Sequence, residues 1–313
     1  MYYFIVNPNA GHGRGEKIWR KLEHRLKRSG IEYQVEMTRG QGDARNLARQ
    51  ITEWQITERG GESRVIVAVG GDGTVNEILD GVAFDNELTL GYIPAGTGND
   101  LARALKLSRN PHRGLKKILH PAGYRYLDYG ILSYGQEKPV YRRFAVSSGI
   151  GLDADVCHDQ SECRLRKRRL PIRLGRFSYV LLGIRHLIIS QPVKGYLLLD
   201  GVKKVEFNHI YFISSHVHPY EGGGFRFAPR ADGKDGLLEV CVVHNTFRRG
   251  LVPVLWDALI GRSNHHRGVR HYPCREVQIH VDRPMRVHVD GEDCLYQTDI
   301  HLRCVEKKIR TFL

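Results

Sequence analysis

The chain has 313 residues, 41% of them hydrophobic and 26% charged, which is enough apolar material for two domains with proper cores and excludes a disordered chain. No uninterrupted apolar run reaches membrane-spanning length; the best candidate, residues 177–190, is broken by Arg185 and His186. A net charge of +14 and a pI of about 9.6 draw the protein toward nucleic acid, anionic lipid or a polyanionic substrate, and composition does not choose among these.

Short apolar runs alternate with helical patterns through the first third, the sequence form of a parallel sheet covered by helices. Residues 2–6 read as a buried strand, with no secretory-type leader ahead of it, so a cytoplasmic location is expected. Residues 15–27 carry Ile18, Trp19, Leu22 and Leu26 at helical spacing. A strand at 33–37 is followed by a helix at 43–54 with Ala44, Leu47, Ala48 and Ile51 on one face. Strands follow at 65–69 and 88–93, each running into a glycine-bearing turn. From about residue 124 the texture turns β-rich, with strand-like runs at 143–147, 195–200, 202–214, 237–243, 277–281 and 286–289. Helical exceptions lie at 176–189 and 247–260, and Asp200-Gly201 signals a hairpin. This predicts an α/β domain over 1–127, with an open parallel sheet, and a β-rich, antiparallel, sandwich-like domain over 128–304. The C-terminal 305–313 packs back on the first.

Three turns follow strands of the first domain, and in an open parallel sheet such turns gather at the carboxyl edge, where ligands bind. They are Asn7-Pro8-Asn9-Ala10-Gly11, Gly70-Gly71-Asp72-Gly73-Thr74 and Pro94-Ala95-Gly96-Thr97-Gly98-Asn99-Asp100. Glycines at 70, 71 and 73 let backbone N–H groups approach an oxyanion, and Thr74-Val75-Asn76-Glu77 opens a helix whose positive end favours phosphate. Asp72 at the centre would repel phosphate directly, so its natural role runs through a bridging divalent cation, which Asp100 either shares or leaves in order to cap its own helix. No G-x-x-x-x-G-K-[ST] occurs, and Gly11, Gly13 and Gly15 do not meet the G-x-G-x-x-G spacing.

These three segments together resemble the catalytic domain of diacylglycerol kinases, a family that includes sphingosine and ceramide kinases; the Gly-Gly-Asp-Gly core is shared with NAD kinases and 6-phosphofructokinases. Asp290-Gly291-Glu292 resembles the same family's second-domain motif. The resemblance implies an NAD kinase-like first domain and an ATP site lined by Asn7, Pro8, Asn9, Ala10, Gly11, Thr38, Gly70, Gly71, Asp72, Gly73, Thr74, Val75, Asn76 and Thr97. It implies catalytic magnesium at Asp72, Asp100 and Asp128, and Glu292 as general base. Asp232-Gly233-Lys234-Asp235-Gly236-Leu237 resembles a structural magnesium segment, with Asp232, Asp235 and Leu237 as ligands.

The expected activity is transfer of the γ-phosphoryl group of ATP to a lipid hydroxyl, diacylglycerol first, by a peripheral enzyme at an anionic membrane surface. No nucleic-acid or obligatory protein partner is expected, and a homodimer is left open. Competing readings are a soluble-metabolite kinase of the NAD kinase type and a non-catalytic binder of anionic membranes. Glu292 is either the base or an exposed residue of a hairpin turn. Asp128 either holds metal or pairs with a surface arginine. The basic run 163–176 is either a membrane contact or a solvated loop. The scattered cysteines suggest reduced thiols, and the pairs His216/His218 and His265/His266 read as surface or loop residues.

Overall fold

The computed structural model describes residues 1–58, 64–83, 88–135, 137–165, 182–183, 185–186, 190–245, 248–260 and 266–313. The chain divides into one unit of Met1–Asp128 with Lys307–Leu313 and a second of Tyr129–Glu306.

The first unit alternates β1 (Tyr2–Val6), α1 (Ala10–Ser29), β2 (Tyr33–Met37), α2 (Asp43–Glu58), β3 (Arg64–Gly70), α3 (Asp72–Gly81), β4 (Leu88–Pro94), α4 (Asp100–Ala104) and α5 (Pro111–Leu119). Its strands are parallel in the order β2-β1-β3-β4, and β4 also pairs in parallel with residues 310–311 at the chain end. Strands β1, β3 and β4 bury on both faces, as the inner strands of a helix-covered parallel sheet require, while the edge strand β2 is partly exposed. Ile18, Trp19, Leu22 and Leu26 form the predicted buried face of α1, and the Trp19 ring packs tilted against Phe4 of β1, with centroids 5.2 Å apart. Regular helix begins only after Gly13, because Gly11, His12 and Gly13 all have positive φ.

The second unit comprises most of β5 (Tyr124–Tyr134), then β6 (Val140–Phe144), β7 (Ser147–Gly151), α6 (Leu152–Leu165), β8 (Val193–Leu199), β9 (Lys203–His216), β10 (Leu238–His244), α7 (Arg248–Ile260), β11 (Val269–Cys274), β12 (Glu276–Val289) and β13 (Glu292–Phe312), whose end returns to the first unit. Pairing among β11, β10, β9, β7, β12 and β13 is antiparallel, and β8 joins both β9 and β12. Asp200 and Gly201, both at positive φ, make the predicted hairpin between β8 and β9.

Two strand expectations are corrected. Residues 277–281 and 286–289 belong to one strand, β12, in which the register shifts between His280 and Met285; the shift absorbs Pro284, which cannot donate to the ladder. The run 143–147 is instead the end of β6 and the start of β7, because the amides of Ala145, Val146 and Ser147 turn to the Asp290 carboxylate. Most of the predicted helix 176–189 and nearly all of the basic run 163–176 fall outside the described residues. Five cysteines are described, all as free thiols.

Candidate active site

In the first unit, the three glycine-bearing turns are tied to one another by backbone contacts. Asn7 N donates to Val69 O at 2.9 Å, and the Asn7 side-chain amide donates to Thr74 Oγ1 at 3.1 Å. Gly70 O in turn accepts from Ala95 N at 2.6 Å and Gly96 N at 3.1 Å. A Cβ on Gly96 would lie 2.5 Å from Gly71 Cα, and one on Gly11 would strike the Ala95 carbonyl. Glycine at these positions lets second-turn backbone approach third-turn backbone, leaving no side chain where a phosphate would have to approach. Thr97 is exposed on the third turn, Thr38 is buried at the end of β2 with its N–H on Val6 O, and Val75 and Asn76 are buried in α3. Pro8, Asn9 and Ala10 follow β1, and Gly73 and Thr74 sit in the first turn of α3.

Asp72 opens α3 and reaches the start of α4, where its Oδ1 accepts from Leu101 N at 3.2 Å. Burial raises its pKa; the backbone N–H groups of Asp100, Leu101 and Asn99 and the charge of Arg103 act against that. Asp100 is buried and paired with Arg103. Both carboxylates stand near Tyr92, whose phenol is held well above its ordinary pKa by burial, then by Asp72 and Asp100. Two carboxylates beside a backbone cradle, offset by one arginine, are a donor set that fits a hard divalent cation with oxygen ligands. Glu77 instead serves structure, accepting from Gly42 N and Ala44 N at the start of α2. Asp128 lies on β5 and is buried, at 1% exposure.

In the second unit, Asp290 and Gly291 form the predicted turn between β12 and β13, both at positive φ. Asp290 accepts from Ala145, Val146 and Ser147 N–H at 2.7, 2.9 and 2.9 Å, so it is a clamp that ties this turn to β7. Glu292, the next residue but one, is partly exposed at the head of β13. Arg286 reinforces the hairpin from the side, at 2.9 Å from Asp293 and stacked on Tyr296.

Below this hairpin lies a cluster that sequence reasoning missed. His288, at 1% exposure, places Nε2 3.0 Å from Glu221 Oε1 and 3.5 Å from Asp153 Oδ2, and Glu221 Oε2 is 3.3 Å from His216 Nε2. His216 and His218 are therefore buried at 0% and 5% exposure, a correction to the surface reading, and His266 pairs with Asp257 at 2.9 Å; His265 is outside the described residues. Burial pushes the Asp153 carboxyl up to about 6. Burial acts to lower the His288 pKa, while Cys157, Asp153 and Glu221 act to raise it.

Sulfur or oxygen or nitrogen atoms of Cys157, Glu221 and His288 lie within 4.8 Å of one another, a metal-like grouping. The hydrogen bonds argue against a metal there: Gly291 N–H donates to His288 Nδ1 at 3.2 Å, so Nδ1 carries the lone pair and Nε2 the proton. Asp153, Cys157 and Glu221 instead form the polar end of a small, half-open pocket with a cavity volume of about 40 Å³, whose walls include Leu152, Val156, Phe212, Phe225, Phe227 and Leu255. The segment 232–237 is an exposed turn in which the Asp232 carbonyl accepts from Lys234 and Asp235 N–H and Asp235 Oδ1 accepts from Leu237 N–H. Glu306 stands beside this turn, its Oε2 3.2 Å from where a Cβ on Gly236 would lie.

Residues 1–125 match the diacylglycerol kinase catalytic domain family, and residues 145–310 match the YegS C-terminal NAD kinase beta sandwich-like domain. Diacylglycerol kinase of Bacillus subtilis (strain 168) is 27% identical over 289 residues, covering 92% of this chain and 88% of that one. Diacylglycerol kinase of Mycobacterium tuberculosis (strain ATCC 25618 / H37Rv) is 27% identical over 290 residues, covering 92% and 87%. Among solved structures, a diacylglycerol kinase from Bacillus anthracis str. Sterne superposes with a TM-score of 0.71 at 20% identity over 99% of this chain and 96% of that one. Yeast NADH kinase does so with a TM-score of 0.55 at 10% identity over 100% and 82%. The expected pairing of an NAD kinase-like domain with a β-rich one is thereby the observed fold.

Proposed function

The chain belongs to the diacylglycerol kinase catalytic-domain family and is a lipid kinase, and on that premise we propose that it transfers the γ-phosphoryl group of ATP to the hydroxyl of diacylglycerol, with magnesium. The observation that supports the acceptor reading is the pocket of the second unit, small but lined mainly by apolar side chains, a lining that suits the apolar part of a lipid better than a charged, water-soluble metabolite.

Phosphoryl transfer asks a protein for alignment and charge neutralisation more than for covalent chemistry. The turns at 7–11, 70–74 and 94–100 supply the backbone cradle for the polyphosphate, with Thr38 and Thr97 at its edges. Asp72 and Asp100 would hold magnesium, which supplies neutralisation of charge on the phosphates when bound; Asp128 is the third candidate ligand. Glu292 accepts the proton of the acceptor hydroxyl as the new oxygen–phosphorus bond forms, and the Asp290 clamp fixes its turn. Net charge +14 favours peripheral residence on anionic membranes.

The test is a radiolabelled-ATP assay with diacylglycerol in mixed micelles and, separately, NAD in buffer. Labelled phosphatidate and no labelled NADP are expected, and Glu292→Gln and Asp72→Ala each remove most turnover without unfolding the protein. Phosphorylation of NAD alone would replace this reading with that of a soluble-metabolite kinase; vesicle binding without turnover would replace it with a membrane binder.

A further inference from the structure

The turn that carries Glu292 is held from two sides. Asp290 grips the start of β7, and the Gly291 N–H is gripped by His288 Nδ1 at 3.2 Å. The other edge of the same imidazole faces Glu221 and Asp153, the two carboxylates at the polar end of the apolar pocket. One buried ring thus touches both the backbone beside the proposed base and the groups that an acceptor in the pocket would meet.

We propose that His288 is a positioning residue for Glu292, its imidazole joining the polar end of the acceptor pocket to the turn that bears the base; this rests on the lipid-kinase mechanism given above. The hydrogen-bond directions carry the argument. Nδ1 accepts from Gly291, so the ring proton sits on Nε2, where two carboxylates surround it. They fix the tautomer much as a carboxylate fixes an imidazole beside a reacting group. The space is also cut to this arrangement: a Cβ on Gly149 of β7 would run into both Asp153 and the His288 ring. A shift of Glu221 or Asp153 toward a bound acceptor would pass through this ring to the Gly291 N–H.

The two amide substitutions separate the two edges of the ring. Asn places an oxygen near the position of Nδ1 and so keeps an acceptor for Gly291; Gln places its amide near Nε2 and keeps only the contact with the carboxylates. In the full-length protein with diacylglycerol micelles, His288→Gln is expected to lower kcat about tenfold, with KM for ATP unchanged. Amide exchange at Gly291 speeds up in that variant. His288→Asn recovers most of the lost kcat and of the Gly291 protection, even where both variants melt at the same lower temperature. Equal losses in the two variants that track their melting temperatures would mark a structural role only and overturn the proposal, as would normal kcat or unchanged Gly291 exchange in His288→Gln. Glu292→Gln assayed in parallel separates the failures: if it keeps full activity, the base assignment falls, while the exchange data still decide the His288–Gly291 contact. Nitrogen-15 shifts of the wild-type imidazole need no variant; a proton on Nδ1, alone or together with one on Nε2, would overturn the proposal, and a bare Nδ1 with a protonated Nε2 supports it.

Discussion

Asp290 and Glu292 are two residues apart and have opposite tasks. The Asp290 carboxylate spends both oxygens on three backbone N–H groups, and removing it strands those amides in a buried place. Asp290→Ala is therefore expected to cost about 3 kcal/mol of stability, measured by chemical denaturation, and to lower activity only in proportion to the unfolded fraction and the loosened turn. Glu292→Gln should show the reverse pattern, with full stability and little turnover. Asp153 offers a pH-dependent counterpart. Its carboxyl is pushed up to about 6 by burial, above its ordinary 3.8, so the folded protein holds a proton there that the unfolded chain releases between those values. Stability from this residue thus falls as pH rises through that window and is lowest above it. Asp153→Asn should raise the denaturation midpoint relative to wild type at pH 7.5, and the gap should close at pH 4. A gap that widens on acidification would show that attraction to His288 outweighs burial. The buried cluster was not legible in the sequence, where Asp153, Glu221 and His288 stand far apart with no spacing to link them, and His216 and His218 read as surface residues because no carboxylate or cysteine joins the pair in a recognised metal-ligand spacing.

At the level of elements, the local signals were strong where local physics decides the outcome. β1, β3 and β4 each end in a turn where their apolar run breaks, and the helical face of α1 is the one that Ile18, Trp19, Leu22 and Leu26 define. Boundaries failed where a distant residue intervened. The single strand β12 runs through Pro284 because β13 and β8 hold it on either side of the bulge, and the break between β6 and β7 is made by Asp290 from the far end of the chain. The approach of the glycine turns is a packing fact of the same kind: the sequence shows three turns, and the fold shows why Gly96 cannot be larger. Gly96→Ala puts a methyl 2.5 Å from Gly71 Cα, so one turn must move. The expected results are a loss of about 1–3 kcal/mol and a several-fold rise in KM for ATP with little change in KM for lipid. Equal rises in both would mean that the third turn does not serve the nucleotide.

Across the whole molecule, charge and hydropathy set where such an enzyme can work. No helix among the described residues is long and apolar enough to cross a membrane, and the proposed acceptor lives in one; surface attraction is the means of access that the charge of the chain offers. Two sources of attraction compete: the diffuse charge of +14, and the run of Arg164, Arg166, Lys167, Arg168 and Arg169, most of which lies outside the described residues. They predict different losses. Replacing those five residues by Ser leaves a charge of 14 − 5 = +9, so a diffuse field would still bind anionic vesicles, weakened a few-fold at 0.1 M salt where the Debye length is about 10 Å. A segment lying on the headgroups would instead forfeit about 1 kcal/mol per basic residue, enough to lower vesicle affinity by 100-fold or more and to flatten its salt dependence. Flotation with vesicles rich in anionic lipid, at two salt concentrations, measures the difference. A large, salt-flattening loss with turnover on detergent-dispersed diacylglycerol intact would assign the run to membrane attachment; a loss of only a few-fold would leave it a solvated loop and attachment to the overall charge.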